Sequence, residues 1–428
     1  MEEAIANLPH DLIAHQILTR LPIKLLLGLK CVSKQWYSTL SSDQFALTYA
    51  KLSPSFDPFS PIQSLFIQHE NDYYLFFYDD DEIVTSYTSS KNLVKLGVNF
   101  DVSLDDKLVF VGSCNGLICL ASSFGCYFIL WNPITGKFQK YSGDELVIDY
   151  SCPFRVSWGF GYVSNADDYK VIRILELAAT LEIRVLVFSL KSNKWTRIAD
   201  ELYQDTFSLR GTPYNRFPFA HNGTSRMYPF SFDSIRGVLA NESLYWVVSK
   251  INDMGTKVVS FDLVSEEFDT IVDLNMVTSF AYSDKFLCVL GGCLSKCGVN
   301  MRDDVSIQML KYPGMVESIR LFRDLCLSSC KNIVGFTRMG KIFILLEFSK
   351  LVLVDPSLEP KTYTRLVEFG GWRNCHVASY VPSLTLPNTM PSCQVQRRRV
   401  NLDVRRGKKR EEEGRESYHL RVSFLNNS

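Results

Sequence analysis

Trp131-Asn132-Pro133-Ile134-Thr135-Gly136-Lys137-Phe138 is the stretch on which the fold of this chain turns. Two further segments superpose on it at the same register: Phe188-Ser189-Leu190-Lys191-Ser192-Asn193-Lys194-Trp195 and Phe261-Asp262-Leu263-Val264-Ser265-Glu266-Glu267-Phe268. Each opens on an aromatic, sets a small polar residue after it, carries Ser or Thr at the fifth position and closes on an aromatic at the eighth. The polar second residue suits bonding to the backbone of a tight turn, and so does the hydroxyl at the fifth. The two aromatics then sit on antiparallel strands, near enough to pair across them. Such a unit is a β-hairpin with its turn written in. A worn fourth copy runs through Val354-Asp355-Pro356, keeping the acidic start of the turn.

Ahead of these hairpins lie strand-like runs: Gly116–Leu120, Leu244–Val248 and Ile342–Leu346. A strand, a loop and an aromatic-closed hairpin is how a four-stranded propeller blade is written. About 320 residues at ~40–50 per blade imply roughly six or seven blades. The expected fold is therefore an irregular β-propeller, with a two-sheet β-sandwich as the alternative.

The whole chain has 428 residues, 46% hydrophobic and 13% aromatic, a globular composition with an aromatic excess that favours strands. Formal net charge is zero, so composition makes no electrostatic case for nucleic acid or an anionic membrane. The N-terminus carries Glu2 and Glu3 without the basic and apolar regions of a signal peptide. No apolar run approaches the ~18–20 residues of a membrane-spanning helix. The expectation is a soluble, intracellular protein, cytoplasmic and/or nuclear, its twelve cysteines reduced.

Residues 5–52 read differently: helical, leucine-rich and cornered by prolines. Leu8-Pro9-His10-Asp11-Leu12 opens a helix, with Pro9 preset for its first turn. Leu12, Ile13, Ile17, Leu18 and Leu21 share one broad apolar face. Pro22 ends that helix and starts a second, whose apolar pattern continues through Ile23, Leu25, Leu26 and Leu29 into Cys31–Trp36; a third covers Tyr37–Tyr49. Three short helices cannot bury this much leucine among themselves, so the surplus apolar face implies a partner. Residues 53–61 form a Ser/Pro/Asp-rich linker, 62–383 the β domain and 384–428 a charged tail expected to be disordered.

The string LPHDLIAHQILTRLPIKLLLGLKCVSKQW, Leu8–Trp36, resembles a plant-type F-box at nearly every position of that family's frame. The β domain resembles the F-box-associated, kelch-like domain of plant F-box proteins, including the S-locus F-box group. Its carriers are Gly112-Ser113-Cys114-Asn115-Gly116-Leu117, Trp131-Asn132-Pro133, Gly159-Phe160-Gly161-Tyr162 leading to Asp168-Tyr169-Lys170-Val171, and Phe261-Asp262 with its hairpin. The resemblance implies a substrate-recognition subunit of a Skp-cullin-F-box ubiquitin ligase. Its F-box would dock on a Skp-family adaptor, and through it on cullin and RING subunits, while the β domain holds a target protein. Residues carried over to adaptor contact are Leu8, Pro9, Leu12, Ile17, Leu18, Pro22, Val32 and Trp36. Leu18 and Trp36 have a second reading as internal packing of the helices. No catalytic residue, cofactor or metal is implied, and the alternative is a propeller interaction module outside any ligase. The tryptophans usual around Val316-Glu317-Ser318 are replaced here by Met309 and Ile319, so one blade is expected to be repacked.

Other signals read as structural. Gly112-Ser113-Cys114-Asn115-Gly116 has the outline of a nucleophile elbow, but a strand follows where that motif needs a helix. Cys293 and Cys297 with Cys326 and Cys330 depart from the tight spacing of a four-thiolate zinc site. His221 and His376 have no ligand-spaced partners, and Asp79-Asp80-Asp81-Glu82 lacks the glycine of a calcium loop. The runs Arg397–Arg399 and Arg405–Arg410 have a nuclear-import reading, with disordered extension as the simpler one.

Overall fold

The computed structural model describes residues 12–21, 23–52, 64–78, 92–102, 106–143, 154–177, 182–198, 230–232, 236–250, 256–273, 285–290, 292–299, 305–311, 315–322, 330–355, 357–358, 363–369, 375–384, 399–406 and 418–425. Beyond the helical N-terminus these residues alternate short strands with turns, and the strands assemble into six sheets. In the first, β1 (Ser64–His69), β2 (Asp72–Phe77) and β3 (Leu93–Leu96) pair in order. The second is a meander of β4 (Leu108–Cys114), β5 (Leu117–Ser122), β6 (Tyr127–Trp131) and β7 (Phe138–Ser142). The third repeats it with β8 (Phe154–Val163), β9 (Asp168–Leu177), β10 (Glu182–Ser189) and β11 (Lys194–Arg197). In the fourth, β12 (Phe230–Phe232) and β13 (Val238–Ala240) both pair with β14 (Ser243–Lys250), which continues to β15 (Thr256–Asp262) and β16 (Phe268–Asp273). The fifth holds β17 (Lys285–Leu290), β18 (Cys293–Val299), β19 (Val305–Lys311) and β20 (Met315–Phe322). The sixth holds β21 (Cys330–Phe336), β22 (Ile342–Leu346), β23 (Lys350–Val354) and β24 (Tyr363–Glu368).

The chain then returns to where the sheets began. β25 (Cys375–Ser379) pairs antiparallel with β1, placing Leu65 opposite Ser379 and His69 opposite Cys375. Each sheet touches the next through the strands nearest the axis: β25 beside β4, β4 beside β8, β8 beside β13 and β14, these beside β17, and β17 beside β21, which meets β25. Among the described residues the result is a closed β-propeller of six blades, and the two-sheet sandwich is excluded. Its first blade combines β1–β3 with the much later β25, so closure of the ring depends on β25 finding β1.

All three hairpins read from the sequence are the outer pairs of blades. Trp131 stands opposite Phe138, Phe188 opposite Trp195 and Phe261 opposite Phe268. Asn132 Oδ1 accepts from the backbone N–H of Ile134 (2.8 Å) and Thr135 (3.2 Å), and Asp262 Oδ1 does the same for Val264 and Ser265 at 2.8 Å each. Trp131, Trp158 and Trp246 are fully buried between blades. Gly159 lets β8 approach the next blade: a Cβ there would meet the side chains of Leu244 and Trp246.

Some expectations need correction. The third helical piece is two helices, and the tail does not begin at residue 384: Leu384 is 2% exposed and belongs to the core. Within that tail, expected to be disordered, β26 (Arg399–Arg406) and β27 (Tyr418–Leu425) are strands that pair antiparallel, and Val422 bridges Leu96 of β3. The fifth blade forms its strands despite Met309 and Ile319, which stand opposite Glu317 and Ile307; their side chains lie outside the described residues. The stretch Tyr73–Tyr78 is mostly buried, with Tyr73, Leu75, Phe76 and Tyr78 all inside.

Candidate functional site

Packing of the N-terminal helices separates residues that hold them together from residues left over. A π turn, Ile13–Ile17, runs into a 3-10 turn, Leu18–Arg20, followed by α1 (Ile23–Leu29), α2 (Lys34–Leu40) and α3 (Asp43–Leu52). Ser33 starts α2 by accepting from the Trp36 N–H at 3.1 Å. Ser42 does the same for α3, accepting from Phe45 N–H at 3.2 Å, and so divides what the leucine pattern suggested was one helix. Tyr49 donates its hydroxyl to the Leu21 carbonyl at 3.0 Å, tying α3 back to the first turn.

Ala14, Leu18, Ile23, Leu26, Leu40, Phe45 and Ala46 point inward and are buried. Left outside are Leu12 (48% exposed), Ile17 (46%), Leu25 (55%) and Val32 (63%). Large apolar side chains held this far out, while others fill the core, are the surplus surface expected from the sequence. Of the residues expected to touch a partner, Leu12, Ile17 and Val32 are exposed. Leu18, at 1% exposure, sits in the core, in keeping with its second reading as internal packing of the helices. Trp36 is partly buried and packs on the same core. Leu8, Pro9 and Pro22 lie outside the described residues. Leu25 was missed, because α1 carries leucines at three consecutive positions and only packing shows that Leu25 faces out while Leu26 faces in.

The helices do not hang free of the propeller. Leu18, Ile23, Leu26, Leu40, Phe45 and Tyr49 share one apolar cluster with Trp131, Ile134 and Phe138 of the second blade. Lys137, on the β6–β7 turn, pairs with Asp43 at the start of α3. Lys30, beside this turn, has its pKa lowered to about 8 by burial and by the neighbouring charge of Lys137.

The same corner anchors the end of the propeller domain. Asn132 Nδ2 donates to the Ser383 carbonyl (2.9 Å), Ser383 Oγ to the Asn115 carbonyl (2.6 Å) and Tyr380 hydroxyl to the Gly116 carbonyl (3.1 Å). Asn115 and Gly116 form the β4–β5 turn at φ 50° and 77°, and a Cβ on Gly116 would collide with Ser383. The outlined nucleophile elbow is thus a clamp on the returning chain. Burial pushes the Cys114 thiol up to about 12, the reverse of an activated nucleophile.

No group of three metal-ligating side chains gathers among the described residues. Cys297 is buried against Cys288, sulfur to sulfur 3.3 Å, whereas Cys293 is only partly buried; Cys326 lies outside the described residues, as do His221 and Asp79–Glu82. No helix among the described residues is long and apolar enough to cross a membrane.

Comparison with known proteins covers both parts of the chain. The F-box domain family matches residues 5–48, and the F-box associated beta propeller domain family matches residues 64–309. The chain is similar to F-box/kelch-repeat protein At3g23880 of Arabidopsis thaliana, 30% identical over 90% of this chain and 97% of that protein. It is also similar to F-box protein CPR1 of the same organism, 27% identical over 85% of this chain and 84% of that protein. Among solved structures, a nidogen/laminin complex chain aligns at TM-score 0.41 and 8% identity, covering 75% of this chain and 99% of that one.

Proposed function

The chain belongs to the F-box proteins that carry an F-box-associated β-propeller, and on that premise we propose that it is the substrate-recognition subunit of a Skp-cullin-F-box ubiquitin ligase. The observation carrying this reading is the set Leu12, Ile17, Leu25 and Val32, left exposed by a helical module whose core is already filled. These side chains, with Leu8, Pro9, Pro22 and the outer edge of Trp36, would bury their apolar surface on a Skp-family adaptor, at roughly 25 cal/mol per Å² removed from water. The propeller would grip a target protein whose lysines are then brought to a ubiquitin-charged enzyme on another subunit. Acceleration in such a machine comes from effective concentration, so the chain itself needs no reacting group. It would act in the cytoplasm or nucleus.

The shared core between helices and second blade supports a further point of mechanism. A target held by the propeller would keep a set distance and direction to the adaptor, which shortens the search for an acceptor lysine.

The test is co-purification with a Skp-family adaptor. The intact chain is expected to bind it, and the double variant Leu25→Asp/Val32→Asp to bind at least about tenfold more weakly with an unchanged melting temperature, as expected for charges set into an apolar interface. A folded wild-type chain that ignores the adaptor overturns the reading. Adaptor binding without ubiquitin transfer to any captured protein would favour a propeller interaction module outside the ligase.

A further inference from the structure

Six strands line the propeller axis: β4, β8, β13, β17, β21 and β25. The β4–β5 turn, Asn115-Gly116, marks the end of the axis at which these strands finish. Antiparallel pairing puts the β6–β7 turn, which meets the helical module through Ile134 and Lys137, at that same end. The strands therefore begin at the opposite mouth, facing away from the module.

Three basic side chains converge near that mouth. His376 and Lys331 are each the second residue of neighbouring axial strands, β25 and β21, and so stand at one level. His376 lies opposite Gln68, whose amide donates to the carbonyl of Leu108 at the start of β4 (2.7 Å). Arg236 precedes β13 and bridges in parallel to Trp158 of β8, with the Gly237 N–H donating to the Trp158 carbonyl at 2.7 Å. Its guanidinium reaches to within 5.1 Å of the centre of the Phe110 ring on β4. An aromatic face beneath a guanidinium helps to hold it in place.

Electrostatics agree with the geometry. Burial, then Arg236 and Lys331, lower the pKa of His376 to about 4. At neutral pH the imidazole is uncharged and offers an N–H donor beside Arg236 and Lys331. Burial lowers Arg236 only to about 10, so it stays charged. Lys331 is exposed, whereas Arg236 and His376 are half-buried.

We propose that this mouth is a binding site for an anionic group, phosphoryl or carboxylate, carried on an extended segment of the target protein. The planar fork of Arg236 fits two oxygens of such a group, Lys331 supplies a point charge at the rim, and His376 donates a neutral hydrogen bond. Partial enclosure strengthens all three relative to open water. A segment of the target rather than a free ion is the occupant we assign, since the mouth lies at the end of the axis away from the helical module. This inference rests on the reading of the propeller as the target-binding domain.

The test uses the full chain with ¹³C-labelled histidine, the His376→Asn variant assigning the ring signal. Inorganic phosphate, Gly-phosphoSer-Gly and Gly-Glu-Gly are titrated in turn. Phosphate and at least one peptide are expected to shift the His376 ring signal, the peptide at several-fold lower concentration than phosphate. Arg236→Gln is expected to raise the Kd about tenfold or more, and Lys331→Gln about threefold, in line with charge-assisted hydrogen bonds. Melting curves accompany each variant, and exposed Lys331→Gln serves should Arg236→Gln not fold. No shift with any probe overturns the site, as does an unchanged Kd in the folded variants. Phosphate binding that depends on Arg236 or Lys331, with neither peptide competing, overturns the target segment and leaves a pocket for a free ion. Whether the phosphoserine or the glutamate peptide binds more tightly identifies the anion. Adaptor binding, measured on the same preparations, is independent of all these outcomes, so failure here is distinguishable from failure of the ligase reading.

Discussion

Asn132 shows how much one side chain can organise. It is completely buried, its Oδ1 caps two turn N–H groups, and its Nδ2 holds the Ser383 carbonyl 251 residues away. The first job was legible in the repeat, since a small polar residue after the first aromatic is a turn signal. The second was not, because nothing local announces the arrival of the C-terminal segment. Asn132→Ala is expected to lower stability by about 2 kcal/mol or more, since it strands buried backbone groups as well as removing bonds. Chemical denaturation of the full chain measures it, and a loss near zero would show that water replaces the amide.

Leu18 and Leu25 teach the same lesson from the helices. Both are leucines in a leucine-rich pattern, one 1% and the other 55% exposed. The π and 3-10 turns depart from a regular helical face, so a 3.6-residue wheel does not separate Leu18 from its exposed neighbour Ile17. Substitutions at Leu25 and Val32 therefore separate docking from folding, as the binding experiment above requires.

Among elements, β25 does the most for its length. Five residues near the C-terminus complete the first blade, and Tyr380, Ser383 and Leu384 lock the return. The propeller family's match ends at residue 309, yet the ring is closed only by strands that follow it. A chain ending at residue 369 is expected to lose its single cooperative thermal transition, because it leaves an unpaired edge on β1 and an open ring. A chain ending at residue 384 is expected to melt within a few degrees of the intact one. Equal melting of the two truncations would show that the blades are stable without closure.

The hairpins tell the complementary story. Each is built from contacts within eight residues, so their registers were readable in advance, down to the aromatic pairs. Blades with worn repeats, such as the one carrying Asp355, keep the turn bond: Asp355 Oδ1 accepts from the Ser357 N–H at 3.0 Å.

At the scale of the molecule, helices and propeller are joined, among the described residues, through a shared apolar cluster and the Lys137–Asp43 ion pair. Lys30 reports on that junction. Its pKa is about 8 in the folded chain against an ordinary 10.5. Between those values the unfolded chain binds a proton that the folded chain lacks, so this group's contribution to stability improves as pH rises from about 8 to 10.5. Below about 8 both states carry the proton, and the cost of burying the charge is constant. Lys30→Met is therefore expected to melt higher than wild type at pH 7, with the difference shrinking as pH climbs toward 10. Melting curves of both proteins at pH 7, 8.5 and 10 check the sign, and a constant difference would place Lys30 in solvent.

By itself the sequence determined the two modules, the propeller architecture, the turn chemistry of its hairpins and the presence of an apolar surplus on the helices. These are local or compositional properties, set by contacts a few residues apart. Only the tertiary structure decided which leucines form the surplus, what the Gly112–Gly116 motif is for, how the ring closes and how three basic residues, Arg236, Lys331 and His376, meet at one mouth. Those features join positions tens to hundreds of residues apart, and the packing that brings them together leaves no period or motif in the chain.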